Sequence, residues 1–296
     1  MRQTAAALLL LGLTTAPLAA QTKVVLLGTG TPNPDPERSG PSVAVVVNGA
    51  AYLVDAGPGV VRRAEAARER GVTELAQPNL KIVFLTHLHS DHTLGLPDLM
   101  LTPWVLERTA PLEVYGPRGT QSMVEHLVAA YAEDVRIRTD GWQPQNNTGQ
   151  RVNAHEIRAG LVYRDSNVRV TAFTVEHGSV PEAYAYRFET EDRTIVISGD
   201  TRASDAVVNA CAGCDVLVHE VYSDAGFRSR PPEWQRYHEY FHTSATSLAA
   251  VATRARPQLL VLYHQLMWGT SPEALVNEVK RGYGGRVVSG NDLDVY

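Results

Sequence analysis

Short apolar runs alternate with amphipathic stretches along most of the chain, and the breaks between them carry Gly, Pro or Asn. Val24-Val25-Leu26-Leu27 predicts a buried strand that runs into Gly28-Thr29-Gly30-Thr31-Pro32-Asn33-Pro34, a loop. Ser42–Val47 and Ala51–Val54 predict a hairpin around Asn48-Gly49, the residues that suit its tight turn. Asp55-Ala56-Gly57-Pro58-Gly59 ends the second strand, and Pro58 opens a helix that runs through Arg70 and closes at Gly71. Strands follow at Leu80–Thr86 and Leu112–Tyr115, with a short helix near Leu94–Leu101 and another from Thr120 to Ala132. Thr139–Gln150, with its Trp, Pro, Asn and Gly, reads as an exposed loop. The later part offers strands at Val168–Val175, Ala183–Phe188, Thr194–Ile197, Val216–Val218 and Leu259–Leu262. Helices at Ser204–Ala210, Thr243–Arg254 and Pro272–Arg281 separate or flank them. Both halves run from strands into helices, which places helices outside stacked sheets: an α/β (α+β) layered architecture.

Chemistry collects where the strands end. Directly after Leu80–Leu85 stands Thr86-His87-Leu88-His89-Ser90-Asp91-His92, three imidazoles and a carboxylate in one turn. Alternation along the strand end lets His87 and His89 face the same way, while Asp91 and His92 sit in the turn beyond. Imidazole nitrogens and carboxylate oxygens are the usual ligands of zinc and similar ions. His177, Asp200 and His264 also each follow an apolar strand, and strand ends on several elements are how a fold gathers one site. The Gly28-Thr29-Gly30 sequence does not extend this to a nucleotide cofactor, because Pro32, Pro34 and Pro36 forbid the helix that should follow.

Composition narrows the picture further. The chain has 296 residues, 44% hydrophobic and 20% charged, enough for a large core. Residues 1–20 read as a cleavable signal peptide: Arg2 in the n-region, an apolar stretch from Ala5 to Leu13, then small residues up to Ala20. This predicts a periplasmic or secreted protein with no membrane anchor, residues 21–296 forming a single domain. Loss of Arg2 takes the formal charge from −5 to −6, an acidic balance that argues against a dedicated nucleic-acid partner. Cys211 and Cys214 make a C-x-x-C that reads as structural, with a local disulfide plausible in an oxidising compartment.

The motif His87-x-His89-x-Asp91-His92, with His177, Ser198-Gly199-Asp200-Thr201 and His264, resembles the metallo-β-lactamase superfamily. More narrowly it is similar to the branch that holds ribonuclease Z and zinc-dependent arylsulfatase-like phosphodiesterases. The resemblance covers nearly all of residues 21–296 and implies a four-layer αββα sandwich with two divalent metal ions, zinc first, manganese or iron as alternatives. It implies that His87, His89 and His177 hold one ion, that Asp91, His92 and His264 hold the other, and that Asp200 bridges them. Water shared between two such ions becomes a hydroxide nucleophile near neutral pH. Val218-His219-Glu220-Val221-Tyr222 and His242-Thr243-Ser244-Ala245 resemble two further segments of the branch, which imply that His242 protonates the leaving group and Glu220 orients it. Asp91 is counted with this catalytic pair. Asp55 is assigned as a support for a metal-binding His. A homodimer is implied by the resemblance alone.

Departures from ribonuclease Z shape the functional expectation. No long Gly- and Lys-rich arm is visible, and Thr139–Gln150 carries no Lys. The expectation is therefore an exported dinuclear hydrolase of small anionic esters, a phosphodiester or an aryl sulfate. Lactone or β-lactam hydrolysis, a ribonuclease Z-like nuclease, and a non-enzymatic metal-binding protein are the alternatives. Residues 223–240, with Phe227, Arg228, Arg230, Trp234, Arg236, Tyr237 and Tyr240, read as a lid offering aromatic surface and positive charge. Trp104 is left open between pocket and core, and His126 and His155 receive no role.

Overall fold

The computed structural model describes residues 21–296; residues 1–20, read above as a signal peptide, lie outside the described residues. Two sheets face each other. The first holds six strands in sequence order: β1 (Lys23–Gly28), β2 (Ser42–Val47), β3 (Ala50–Val54), β4 (Ile82–Phe84), β5 (Leu112–Gly116) and β6 (Val152–Glu156). The second holds seven: β7 (Gly160–Arg164), β8 (Arg169–Val175), β9 (Ala183–Glu189), β10 (Thr194–Ile197), β11 (Val216–Tyr222), β12 (Leu259–Leu266) and β13 (Val287–Ser289). Each sheet begins as an antiparallel meander and continues with parallel strands, from β3 to β6 and from β10 to β13.

The continuous apolar runs are explained by burial on both strand faces. In β1, Val24 and Leu26 point between the sheets, where they join Val45, Phe84, Tyr186, Phe188 and Val218. Val25 and Leu27 point the other way, into a layer with helices α1 (Val60–Glu69) and α3 (Leu96–Val105). The second sheet is covered in the same manner by α6 (Asp205–Cys211), α9 (Ala245–Ala255) and α10 (Pro272–Lys280). The four layers are helix, sheet, sheet, helix, as the resemblance implied.

Several elements depart from the sequence expectation. The helix expected at Thr120–Ala132 stops at Ala130 (α4), and a second one, α5 (Ala132–Asp140), takes the start of the expected loop. α5 buries no side chain, so no apolar face marks it. β6 and β7 are edge-region strands of mixed polarity, Val-Asn-Ala-His-Glu and Gly-Leu-Val-Tyr-Arg, half-buried at best. Without a clean alternation they carry no strand signal. The cluster turn itself is one helical turn, α2 (Ser90–Thr93), and α3 begins two residues later than expected. Residues 223–241 form α7 (Asp224–Arg228) and α8 (Pro232–Phe241). Cys211 and Cys214 are disulfide-bonded at the end of α6 and pack in the core. No helix of the described residues is long and apolar enough to cross a membrane.

Candidate dinuclear metal centre

The site lies where the parallel strands of both sheets end. β4 delivers His87 and His89, and α2 carries Asp91 and His92. β8 leads to His177, β10 to Asp200, and β12 carries His264. His264 is held at φ +44°, where the β11–β12 register slips between Glu220 and Val221. A bulge of this kind re-aims one side chain while the ladder continues, here into the gap between the sheets.

The seven side chains fall into two groups joined by Asp200. Ligand atoms of His87, His89 and His177 lie within 4.8 Å of one another, as do those of Asp91, His92 and His264, and of His87, His92 and Asp200. Asp200 reaches both groups, with Oδ1 3.4 Å from His92 Nε2 and Oδ2 3.8 Å from His177 Nε2 and 3.5 Å from His264 Nε2. His89 Nδ1 is 3.2 Å from His177 Nε2, and His264 Nε2 is 3.2 Å from Asp91 Oδ2. His87 Nε2, His92 Nε2 and Asp200 Oδ1 are buried without a hydrogen-bond partner. Orphaned polar atoms cost about 1–3 kcal/mol each, and three of them converging on one gap are what divalent ions would satisfy. The donor set is nitrogen and oxygen, so the residues fit two such ions without selecting zinc over manganese or iron.

The outer contacts decide which nitrogen each ring offers. Asp55 Oδ2 sits 2.8 Å from His92 Nδ1, and its carboxylate also accepts from the Thr86 amide and hydroxyl. With Thr86 Oγ1 donating to Asp55, that oxygen is left to accept from His87 Nδ1 at 3.0 Å. His177 Nδ1 donates to the Phe241 carbonyl at 2.8 Å. All three rings thus keep Nε2 free, the arrangement that metal-binding histidines use. Asp55, at φ +62°, thus contacts the His92 ring, as the supporting role assigned to it requires.

Charge is distributed to match. Burial pushes the Asp200 carboxyl up, but the His264 and His92 charges outweigh it and hold the group well below the usual range. Burial brings His177 down to about 4, against the pull of Asp200, so it is neutral and able to ligate at pH 7.

Glu220 and His242 meet beside the same gap. Glu220 Oε1 accepts from the Thr201 and Thr243 amides and stands 3.3 Å from His242 Nδ1, without an aligned hydrogen bond. Burial and the Asp200 charge push the Glu220 carboxyl well above its ordinary range. Burial brings His242 down to about 4, although Asp200 opposes it.

A cavity of about 330 Å³ opens over the cluster. His89, Asp91, Asp200, His242 and His264 form its floor, and Pro32 and Asn33 form one rim. The other wall comes from Arg230, Trp234, Tyr237 and His238 with Leu266 and Trp268. Of the expected lid residues, Arg230, Trp234 and Tyr237 line it. Phe227 instead stacks on Tyr222, and Tyr240 turns toward Arg202. Trp104 is core, its indole N–H bonded to the Asn146 carbonyl. His126 bonds the Ser122 carbonyl in its own helix, and His155 pairs with Glu113 on the neighbouring strand. His238 and Trp268 were missed by the sequence reading. The spacing Trp234, His238, His242 (i, i+4, i+8) was a signal for the first, since it lays three rings along one helix face. Trp268, in a turn after β12, had none.

The Beta-lactamase superfamily domain model matches residues 51–265. The chain belongs to the metallo-β-lactamase superfamily. It is 34% identical over 276 residues to a protein named Ribonuclease Z from Mycobacterium bovis (strain BCG / Pasteur 1173P2), covering 92% of this chain and 96% of that one. Among solved structures it is similar to the short form of human tRNase Z, with a TM-score of 0.68 and 23% identity over 93% and 98% of the two chains. It matches the Bacillus subtilis metallo-β-lactamase fold protein YhfI equally well, with TM-score 0.68 and 17% identity over 93% and 98%. The last two show the fold.

As a superfamily member the chain is a hydrolase with a site built for divalent ions. Two expectations are corrected by the relatives named Ribonuclease Z: that the substrate is a small anionic ester, and that no nucleic-acid partner exists. Both rested on the leader-like segment, the acidic net charge and a missing arm. The net charge of a whole chain says little about the field in one cleft, where bound divalent ions are the largest local charges.

Proposed function

We propose that this protein is a metal-dependent nuclease of the ribonuclease Z type, cleaving a phosphodiester bond in RNA. The observation that carries the reading is the 34% identity, over 92% of the chain, to a protein of that name. It is joined by the seven converging ligand atoms. His87, His89 and His177 would hold one ion, Asp91, His92 and His264 the other, and Asp200 would touch both. Ions held by these residues would supply Lewis-acid polarisation of phosphoryl oxygens and a water of lowered pKa.

The chain's own groups do the rest. Asp55 and the Phe241 carbonyl hold the His92 and His177 rings in the tautomer that keeps Nε2 bare. His242 and Glu220 are placed to share a proton, with Glu220 Oε1 3.3 Å from His242 Nδ1. A phosphodiester anion seated beside His242 raises that ring's proton affinity, so the proton moves to the imidazole and from it to the leaving oxygen. Glu220, fixed by two backbone amides, orients the ring throughout. The leader-like residues 1–20 and the Cys211–Cys214 disulfide support action outside the cytoplasm.

The test is hydrolysis of an RNA hairpin with a single-stranded 3′ extension by the zinc- or manganese-loaded protein. Metal-dependent cleavage is expected, with Asp200→Ala inactive and His242→Ala slower by roughly 10²–10⁴-fold in kcat. Fully metal-loaded protein that leaves RNA intact overturns the reading. Fractionation of the producing cells, with N-terminal sequencing expected to start near Gln21, tests the location.

A further inference from the structure

One part of the cavity lining is built almost wholly of rings. Trp234 stacks on His238 at a centroid distance of 5.8 Å and 25° between planes, and His238 lies 4.4 Å from Trp268. Trp268 continues to Tyr222 at 6.0 Å, and the Arg230 guanidinium lies 5.6 Å from the Trp268 centroid. This row is not ordinary core. Trp234 is 47% exposed, while His238 is only 6% exposed and has a buried Nδ1 without a partner. Arg230 Nε is likewise buried and unpartnered.

The backbone holds the row in place at a cost. Trp268 sits at φ +45°, a conformation that a bulky residue adopts only when its surroundings enforce it. The residue before it lies against α7, where Gly226 comes so close that a Cβ there would strike the Met267 backbone. Glu278 of α10 secures α7 in turn, accepting from the Asp224 and Ala225 amides. Three elements thus fix one indole at the mouth of the metal cluster.

We propose that Trp234, His238, Trp268 and Arg230 form a base-stacking subsite that takes one unpaired nucleotide beside the bond to be cut. This rests on the nuclease reading above and deepens it: the enzyme selects cleavage sites that are single-stranded. Rings bind bases by stacking without regard to sequence, and a guanidinium adds both cation–π attraction and a phosphate partner. A cavity of about 330 Å³ shared with the metal floor admits one nucleotide-sized group.

The experiment uses the metal-loaded full chain and short single-stranded RNAs carrying either a normal base or an abasic residue next to the cleaved bond. Wild type is expected to show a KM about tenfold lower for the normal RNA than for the abasic one. In Trp268→Ala and Trp234→Ala that preference falls to near unity, and Trp268→Phe restores most of it. A merely structural role would lower both substrates together and leave the ratio intact, and that result overturns the proposal. A second readout needs no turnover: RNA with 2-aminopurine at that position is expected to lose fluorescence on binding chelator-treated protein, and Trp268→Ala to abolish the loss. Quenching that survives in both Trp variants also overturns it. If RNA binds and quenches but is never cleaved, the subsite stands and the nuclease reading fails. If RNA is cleaved with no preference for the base, the reverse holds.

Discussion

Asp55→Asn probes how far this site depends on a residue that touches no ion. The wild-type carboxylate accepts three hydrogen bonds, from the Thr86 amide at 2.8 Å, the Thr86 hydroxyl at 3.0 Å and His92 Nδ1 at 2.8 Å. Asparagine tolerates the φ of +62° that this position requires, so backbone strain does not confound the change. Its amide offers one acceptor oxygen and one NH₂ group. If the oxygen keeps the Thr86 amide, the NH₂ faces His92 Nδ1 and can only donate to it. His92 must then carry its proton on Nε2, the atom that should ligate. Losing such a support typically weakens metal affinity 10–100-fold, about 1.4–2.8 kcal/mol. The assay is competition against a chromogenic chelator at pH 7.5, with thermal melting of the stripped protein as the control for folding. An affinity within twofold of wild type, in a variant that melts normally, refutes the role given to Asp55.

Three other outcomes are expected. Chelation should abolish hydrolysis and lower Tm, and zinc or manganese should restore both, because ions that bind only the folded state stabilise it; an unchanged Tm counts against two resident ions. Gly178→Ala should cost about 1–3 kcal/mol in urea unfolding and reduce activity, since Gly178 stands at φ +54° and a Cβ would run into the Phe241 ring at the end of α8. Acid titration of stability should show a contribution from Asp165. Burial raises its pKa, but hydrogen bonds from Tyr52 and the Val168 and Asn167 amides outweigh that and leave it lowered. A depressed folded-state pKa means the contribution is present above the unfolded value, near 4, and lost as pH falls below it. Asp165→Asn should flatten that acid limb, and an unaltered slope would contradict the assignment.

The convergence of these seven side chains was legible because each follows a strand whose apolar run is unmistakable. Strand ends aim side chains predictably, and imidazoles clustered after one have few other uses. The four-layer order was legible for a related reason: strands buried on both faces read as continuous apolar runs. β6, β7 and α5 were not legible, since edge strands and a helix with no buried face carry no periodic signal. The expected substrate failed on a different ground. Charge summed over a chain is dominated by its solvated surface and is blind to the local field of one cleft.

By itself, then, the sequence determined which side chains offer metal-ligand chemistry, on which strand ends they stand, and that helices cover two sheets. These follow from periodicity and ligand chemistry, which are local. Tertiary structure alone decided that Asp200 reaches both ligand groups, that a bulge turns His264 into the gap, and that Asp55 holds His92 from 37 residues away. It also decided that Trp268, at φ +45°, lines the cavity next to a Met267 backbone that closely approaches Gly226. Those contacts join segments far apart in the chain, and only packing sets the distances between them.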